Sequence, residues 1–344
     1  MFEKIVKFSV LILISAAFIS ASASAQSLSK TGTTAAKFLS VGVGPRANGM
    51  GGAFSAVSND VSALYWNPAG IAGLNRFETI FTYTKMFADI NLNYFALAMP
   101  FEDFGTIGVS VTALDYGEME VTTELDPEGI GMTFSAGSYA FGLSYARYIT
   151  TDFAVGVTFK YIRESIMNSS ADGFAFDIGT IFQTPFWGIK FASSITNFGT
   201  KMQMTGDDLL VRYDQDPTTS GNNETVDAHL ATDQFELPLK LQIGISREFK
   251  FLKNQSLLLA IDANYPNDNK QWVNIGGELK LFSNLIYLRA GYKTLFLKNS
   301  QEGLTLGFGL NYEGLGALGL SVDYAYQRYE YLGDNHSFGI ILRF

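Results

Sequence analysis

SFGIILRF, residues 337–344, carries the fold in miniature. Phe338, Ile340, Leu342 and Phe344 fall on one face of an extended chain, and Ser337, Gly339, Ile341 and Arg343 on the other. Successive strand side chains point to opposite sides, so one face is oily and the other mostly small or polar. The same alternation returns at Phe153, Val155, Val157, Phe159 and Tyr161 against Ala154, Gly156, Thr158 and Lys160. It returns again where Leu237, Leu239, Leu241, Ile243 and Ile245 alternate with Pro238, Lys240, Gln242, Gly244 and Ser246. A further case sets Leu304, Leu306, Phe308, Leu310 and Tyr312 against Thr305, Gly307, Gly309 and Asn311.

A soluble sandwich also alternates, but it turns its polar face to water and its oily face to a core. Repetition separates the two: dyad-patterned segments of roughly ten residues, repeated many times, mark an outer-membrane barrel. Such segments are expected at 77–87, 91–100, 105–121, 137–149, 152–163, 171–183, 187–197, 236–247, 256–264, 272–282, 286–296, 303–313, 317–328 and 335–344. Splitting the third near Asp115–Gly117 would make the number odd, and single-chain bacterial barrels are even, so it is read as one bulged strand. The expected fold is all-β, a transmembrane antiparallel β-barrel of about fourteen strands over 77–344.

The connections alternate in length. Those at 101–104, 150–151, 184–186, 283–285 and 314–316 are short, and the one after the eighth strand is somewhat longer. The other set, at 122–136, 164–170, 198–235, 265–271 and 329–334, is long. Short turns belong to the periplasmic rim and long loops to the extracellular one, which puts both chain ends on the periplasmic side. A bilayer demands that the backbone satisfy its own hydrogen bonds, so the sheet must close, and closure removes its edges. Tyr145, Tyr148, Tyr161, Tyr312, Tyr324 and Tyr326 suit interfacial girdles. Phe338, Ile340, Leu342 and Phe344 form the expected C-terminal assembly strand; its partners would be outer-membrane lipids and the barrel assembly machinery.

Residues 1–25 read as a secretory signal peptide. Lys4 and Lys7 precede an apolar run from Phe8 to Ile19, and small residues over Ala21–Ala25 offer cleavage before Gln26. The absence of cysteine rules out a lipoprotein anchor, a disulfide framework and thiolate chemistry. The net charge of −9 comes with no basic cluster, which excludes nucleic acid as a partner. The chain is 47% apolar, yet no helical span follows the leader, so it is an oily β-protein or a barrel. The expected location is the Gram-negative outer membrane.

By parity the inward positions hold Lys160, Asp177, Lys240, Asp262, Glu278, Lys280, Arg289, Lys293, Asp323 and Arg343. Mixed signs fit a mutually neutralising interior network packed against a plug, or alternatively a polar permeation path. Loop 198–235 is an acidic flap carrying Asp207, Asp208, Asp214, Asp216, Glu224, Asp227 and Asp233. Asp214, Asp216, Gly221 and Glu224 do not keep the spacing of an EF-hand, so the charges read as solvated and no metal is expected. Catalysis has little to stand on. His336 and Ser337 are adjacent in a strand and face opposite ways; the other histidine, His229, lies in the long loop. No nucleophile elbow or phosphate-binding loop is present. The chain is expected to be neither an enzyme nor a cofactor protein.

Between leader and strands lies VGVGPRANGMGGAFSAVSNDVSALYWNPAGIAGL, residues 41–74. It is nearly free of charge and rich in glycine, which permits tight turns and close backbone approach. Asn67 reads as an N-cap with Pro68 in the first helical turn, and Asp60 or Ser62 as the cap of a short helix through Leu64. Left as a loose tail, the segment would expose Phe54, Val57, Leu64, Tyr65, Trp66, Ile71 and Leu74 to water. Residues 26–76 are therefore expected to hang from the periplasmic rim and form a hatch, or plug, inside the lumen.

This stretch resembles the N-terminal signature of the PorV/PorQ family, a branch of the FadL-like outer-membrane barrels. The resemblance implies a hatch with an Asn-Pro-Ala motif and a fourteen-stranded barrel. It makes Arg46, Gly49, Gly51, Gly52, Asn67, Pro68 and Ala69 the hatch signature, structural or gating rather than catalytic. It implies an accessory of type IX secretion that handles cargo proteins. The alternative, from the FadL-like side, is a channel passing hydrophobic small molecules through a hatch and a lateral wall opening.

Overall fold

The computed structural model describes residues 30–216, 218, 225–315 and 318–344. The leader expected over 1–25, Gly221 and Glu224 of the acidic loop, and Gly316 of one short turn fall outside them. Fourteen antiparallel strands close into a barrel. They are β1 (Glu78–Lys85), β2 (Asn91–Phe101), β3 (Gly105–Glu120), β4 (Thr133–Thr150), β5 (Phe153–Ile166), β6 (Ser169–Gln183), β7 (Ile189–Gly199), β8 (Lys240–Leu252), β9 (Gln255–Pro266), β10 (Trp272–Leu281), β11 (Ile286–Leu295), β12 (Glu302–Leu315), β13 (Leu318–Tyr329) and β14 (Gly333–Arg343). Each pairs with its sequence neighbour, β7 meets β8 across the long loop, and β14 pairs with β1 to shut the ring.

Alternation sets the wall's two faces. In the last strand Phe338 and Ile340 are 52% and 45% exposed, whereas Ser337 is 0%. Most phenylalanine, leucine and isoleucine side chains of the wall point outward, with Ile80, Leu92, Ile162 and Ile341 among the buried exceptions; serine, threonine, glycine, alanine and most of the charged side chains point in. Large apolar groups left bare on the outside require hydrocarbon rather than water around the wall.

The strand ends differ from the sequence expectation where the ladder outruns the oily pattern. The expected loop 164–170 is a two-residue turn at Met167 and Asn168, because the polar ends of β5 and β6 keep pairing, Glu164 with Ala171 and Ser165 with Ser170. The eighth connection, expected to be longer, is only Lys253–Asn254. β4 begins at Thr133 rather than 137, because β3 resumes pairing beyond its bulge between Asp115 and Glu118. β8 begins at Lys240 rather than 236; Phe235 pairs with Met202 instead. Two further bulges are filled by polar side chains. Asp177 accepts the Asn197 N–H at 2.8 Å, and Asn274 accepts the Thr294 N–H at 2.9 Å; in each case the side chain substitutes for a lost ladder bond.

The long loop is more ordered than a flap. Leu210–Tyr213 pairs with Val226–His229, Met202–Gln203 with Gln234–Phe235, and Thr205–Gly206 adds to the end of β6.

Residues 34–76 run against the inward face of the wall. They contain α1 (Pro45–Gly49), α2 (Ala63–Trp66) and 3-10 turns at Lys37–Ser40 and Pro68–Gly73. Phe54, Val57, Leu64, Tyr65, Trp66, Ile71 and Leu74 are all buried. Asn67 caps the Pro68–Gly73 turn by accepting the Ala69 N–H. Ser62 precedes α2 but makes no capping bond, because its hydroxyl and N–H both go to Asp60. The path of the segment corrects the expectation that it hangs from the short-turn rim. Thr34 and Lys37 bond Asp268, and the Ala36 N–H donates to Glu164. Those partners lie at the long-loop rim. The segment therefore passes from the long-loop rim to the start of β1 at the other.

Candidate functional site

Two of the contacts that seat the segment on the wall bring it against wall glycines at backbone distance. Met50 and Gly51 lie against β10 and β11. Gly51 has φ +66, and a Cβ there would come within 2.8 Å of the Tyr292 nitrogen and 2.9 Å of the Ile275 oxygen. The wall answers with its own glycines: a Cβ at Gly276 would be 2.2 Å from the Met50 oxygen, and one at Gly291 2.3 Å from the Gly51 nitrogen. Gly49 meets Gly307 in the same manner, and Gly52 lies over Asn274.

The second seat holds Asn67, Pro68 and Ala69 on β5 and β6. Pro68 and Ala69 rest on Gly156, and the Asn67 amide faces Gly179. Asn67 Nδ2 donates to the carbonyls of Ser55 and Thr180, each at 3.1 Å, while its Oδ1 accepts from Ala69. One buried amide thus joins two parts of the segment to the wall, with donor and acceptor both used. Trp66 is fixed alongside, its Nε1 donating to Val43 and its carbonyl accepting from Ser194. The sequence reading set Gly156 and Gly307 on the inward face but read none of these five wall glycines as a seat; the available signal was glycine recurring at inward positions of neighbouring strands.

Arg46 supplies the charge. Its Nε and one terminal nitrogen grip both oxygens of Glu278 at 2.8 and 2.9 Å. Its other nitrogen reaches Asp60 at 2.6 Å and Asn59 at 2.7 Å. Glu278 also accepts from Arg289 at 2.7 Å, and Arg289 reaches Asp323 at 2.5 Å. Charges of alternating sign run Asp60, Arg46, Glu278, Arg289, Asp323. Burial opposes charge on Arg46, but Glu278 and Asp60 outweigh it and raise its pKa further above the usual arginine value. Burial likewise pushes Asp60 up, yet Arg46 and the Ser62 hydrogen bonds prevail and leave its carboxyl below the ordinary range. Removing one partner from such a buried set typically costs about 3–5 kcal/mol, while the intact set adds little net stability. Its effect is positional.

Other inward charges pair as well. Lys160 meets Asp177 at 2.6 Å, Lys280 meets Glu248 at 2.9 Å, and Lys293 meets Glu302 at 2.7 Å. Arg343 meets Glu78 at 3.0 Å. Asp262 accepts the N–H groups of Phe54 and Ser55, and Lys240 lies over the Trp66 ring. Near the start of β1 a cavity of about 270 Å³ opens among Arg46, Asp60, Glu78, Arg289, Asp323 and Arg343. His336 turns outward to bond Tyr324, while Ser337 faces inward to Thr84. Among the described residues no group of three or more metal-ligating side chains comes together.

Residues 23–218 match the sequence profile of the family described as "Type IX secretion system protein PorV". No curated protein matches the chain. Among solved structures, a FadL homologue from Pseudomonas aeruginosa is similar with a TM-score of 0.54 at 12% identity, covering 88% of this chain and 98% of that one. The toluene transporter TbuX of Ralstonia pickettii gives 0.53 at 11% identity, over 88% and 97%. The toluene transporter TodX of Pseudomonas putida gives 0.54 at 12%, over 88% and 97%. At such identities the likeness is one of fold.

Proposed function

We propose, for a chain that belongs to the PorV family of type IX secretion system proteins, that it serves protein export at the outer membrane by binding secreted cargo rather than by catalysis. The family match carries the reading, since it spans the N-terminal segment and the first half of the wall. In this reading residues 36–74 act as a hatch, held by the glycine seats and the Arg46 network. Binding falls to the long-loop rim, where the paired strands of loop 200–239 present Asp207, Asp208, Asp214, Asp227 and Asp233. Asp208 anchors this loop, accepting the Asn168 N–H at 2.8 Å and the Asn168 side chain at 3.0 Å.

Hydrophobic uptake is the competing reading, and it needs an apolar passage. The cavity beside the segment is lined by charged groups, while apolar hollows, such as the one among Leu259, Ile261, Ile275 and Leu304, lie on lipid-facing positions. These observations favour export. Deleting 207–233 tests it: cargo release should fail while the barrel keeps its heat-modifiable mobility in electrophoresis. Normal export by the deletion variant, or toluene uptake that depends on Asn67, would overturn it.

A further inference from the structure

Arg247, a cation on the outer wall, has no counter-charge among the described residues. The outward column of β8 reads Leu241, Ile243, Ile245, Arg247, Phe249, Phe251, so Arg247 interrupts an otherwise apolar stripe. Its register neighbours are Ile189 on β7 and Leu259 on β9. The guanidinium is permanently charged, and lipid-facing charge is tolerated only if it reaches the interface or is neutralised.

Arg247 leans toward the short-turn rim. Its Cζ lies 4.4 Å from the Phe249 ring centre and 5.9 Å from that of Trp187, which stands in the rim turn between β6 and β7. Trp187 is 77% exposed, and Phe182, Phe186, Phe191 and Phe251 are exposed on the same part of the wall. An aromatic cluster of this kind belongs at headgroup depth. The rings attract the cation without neutralising it. The buried Nε of Arg247 has no hydrogen-bond partner, and no carboxylate lies within ion-pair distance among the described residues. Adjacent Glu248 faces inward and is taken by Ser256 and Lys280.

We propose that Arg247, stacked on Phe249 and Trp187, forms a lipid site that binds the phosphodiester of a phospholipid in the leaflet at the short-turn rim. A planar guanidinium fork matches two phosphate oxygens, and the aromatic rings hold it at the depth where such phosphates lie. The short-turn rim is the periplasmic one, which points to a glycerophospholipid rather than to lipid A.

Native mass spectrometry of the full-length protein, released from detergent, tests the site. The probes are phosphatidylglycerol, diacylglycerol with the same acyl chains, and lipid A. R247Q should weaken phosphatidylglycerol binding by about tenfold or more, the worth of a charge-assisted hydrogen bond. R247K and W187A should fall between R247Q and the parent protein, and diacylglycerol should not bind selectively. Heat-modifiable migration checks that each variant is folded, and R247K and W187A carry the test if R247Q is not. Equal phosphatidylglycerol binding by the parent and the folded variants would overturn the proposal. So would equal binding of diacylglycerol, or a preference for lipid A.

Discussion

Arg46 of the N-terminal segment holds Glu278 of the wall by two parallel hydrogen bonds, 2.8 and 2.9 Å long. Such a fork fixes both distance and orientation, which a lysine ammonium cannot reproduce. Replacing Arg46 by alanine leaves Asp60 without its cation and Glu278 with Arg289 alone. R46A should loosen the docked segment by about 3–5 kcal/mol, and R46K should recover only part of that. Hydrogen exchange of amides 42–66 reads the effect, while exchange of the wall strands should stay unchanged.

The seat of Asn67 leaves no room for a methyl group. A Cβ on Gly179 would lie 2.0 Å from Asn67 Oδ1, so G179A should cost about 1–3 kcal/mol, in the range of an overpacked core. N67A should cost a similar amount, by leaving the Ser55 and Ala69 backbone groups unsatisfied. Because both changes break one contact, their combination should fall short of the sum. Limited proteolysis between residues 55 and 76, compared across the two variants and the double, checks this. A fully additive pair would show that the contact is not shared.

Acid should release the segment only at low pH. The folded pKa of Asp60 lies below the ordinary carboxylate value because Arg46 and Ser62 outweigh burial. A depressed carboxylate stabilises the fold above its unfolded pKa, about 4, and the contribution is lost as pH falls through the folded value. Protection of amides 60–66 should therefore hold from neutrality to about pH 5 and drop below about pH 4. D60N should remove that acid step while lowering protection at neutral pH.

Asp208 draws the long loop onto the turn between β5 and β6 through Asn168 and Ser169. Those hydrogen bonds hold its pKa below the usual value. D208A should speed protease cleavage within 200–239 without changing the thermal unfolding of the barrel. Unaltered cleavage would show that the paired strands Leu210–Tyr213 and Val226–His229 hold the loop unaided.

Strand alternation was legible residue by residue because it is a property of single strands. Period two sorts Phe338 from Ser337 without knowing what either touches, and repetition of the pattern from 77 to 344 leads to a barrel of fourteen strands. The bulge near Asp115–Gly117 was legible too, from the requirement for an even number. Strand ends were not. Glu164 and Ser170 look like loop residues, yet they sit in a ladder that continues past the oily band, where lipid no longer selects their side chains.

The sequence by itself determined an all-β barrel with an oily outside, a polar inside and a buried glycine-rich segment ahead of the wall. Tertiary structure decided how that segment runs and what it touches. The path from Asp268 at one rim to β1 at the other, the glycines at 156, 179, 276 and 291 as seats, and Glu278 as the partner of Arg46 all depend on closure. Arg46 and Glu278 stand 232 residues apart. A local period carries no information across such a distance. The tilt and stagger of the closed sheet choose which inward residues share a level.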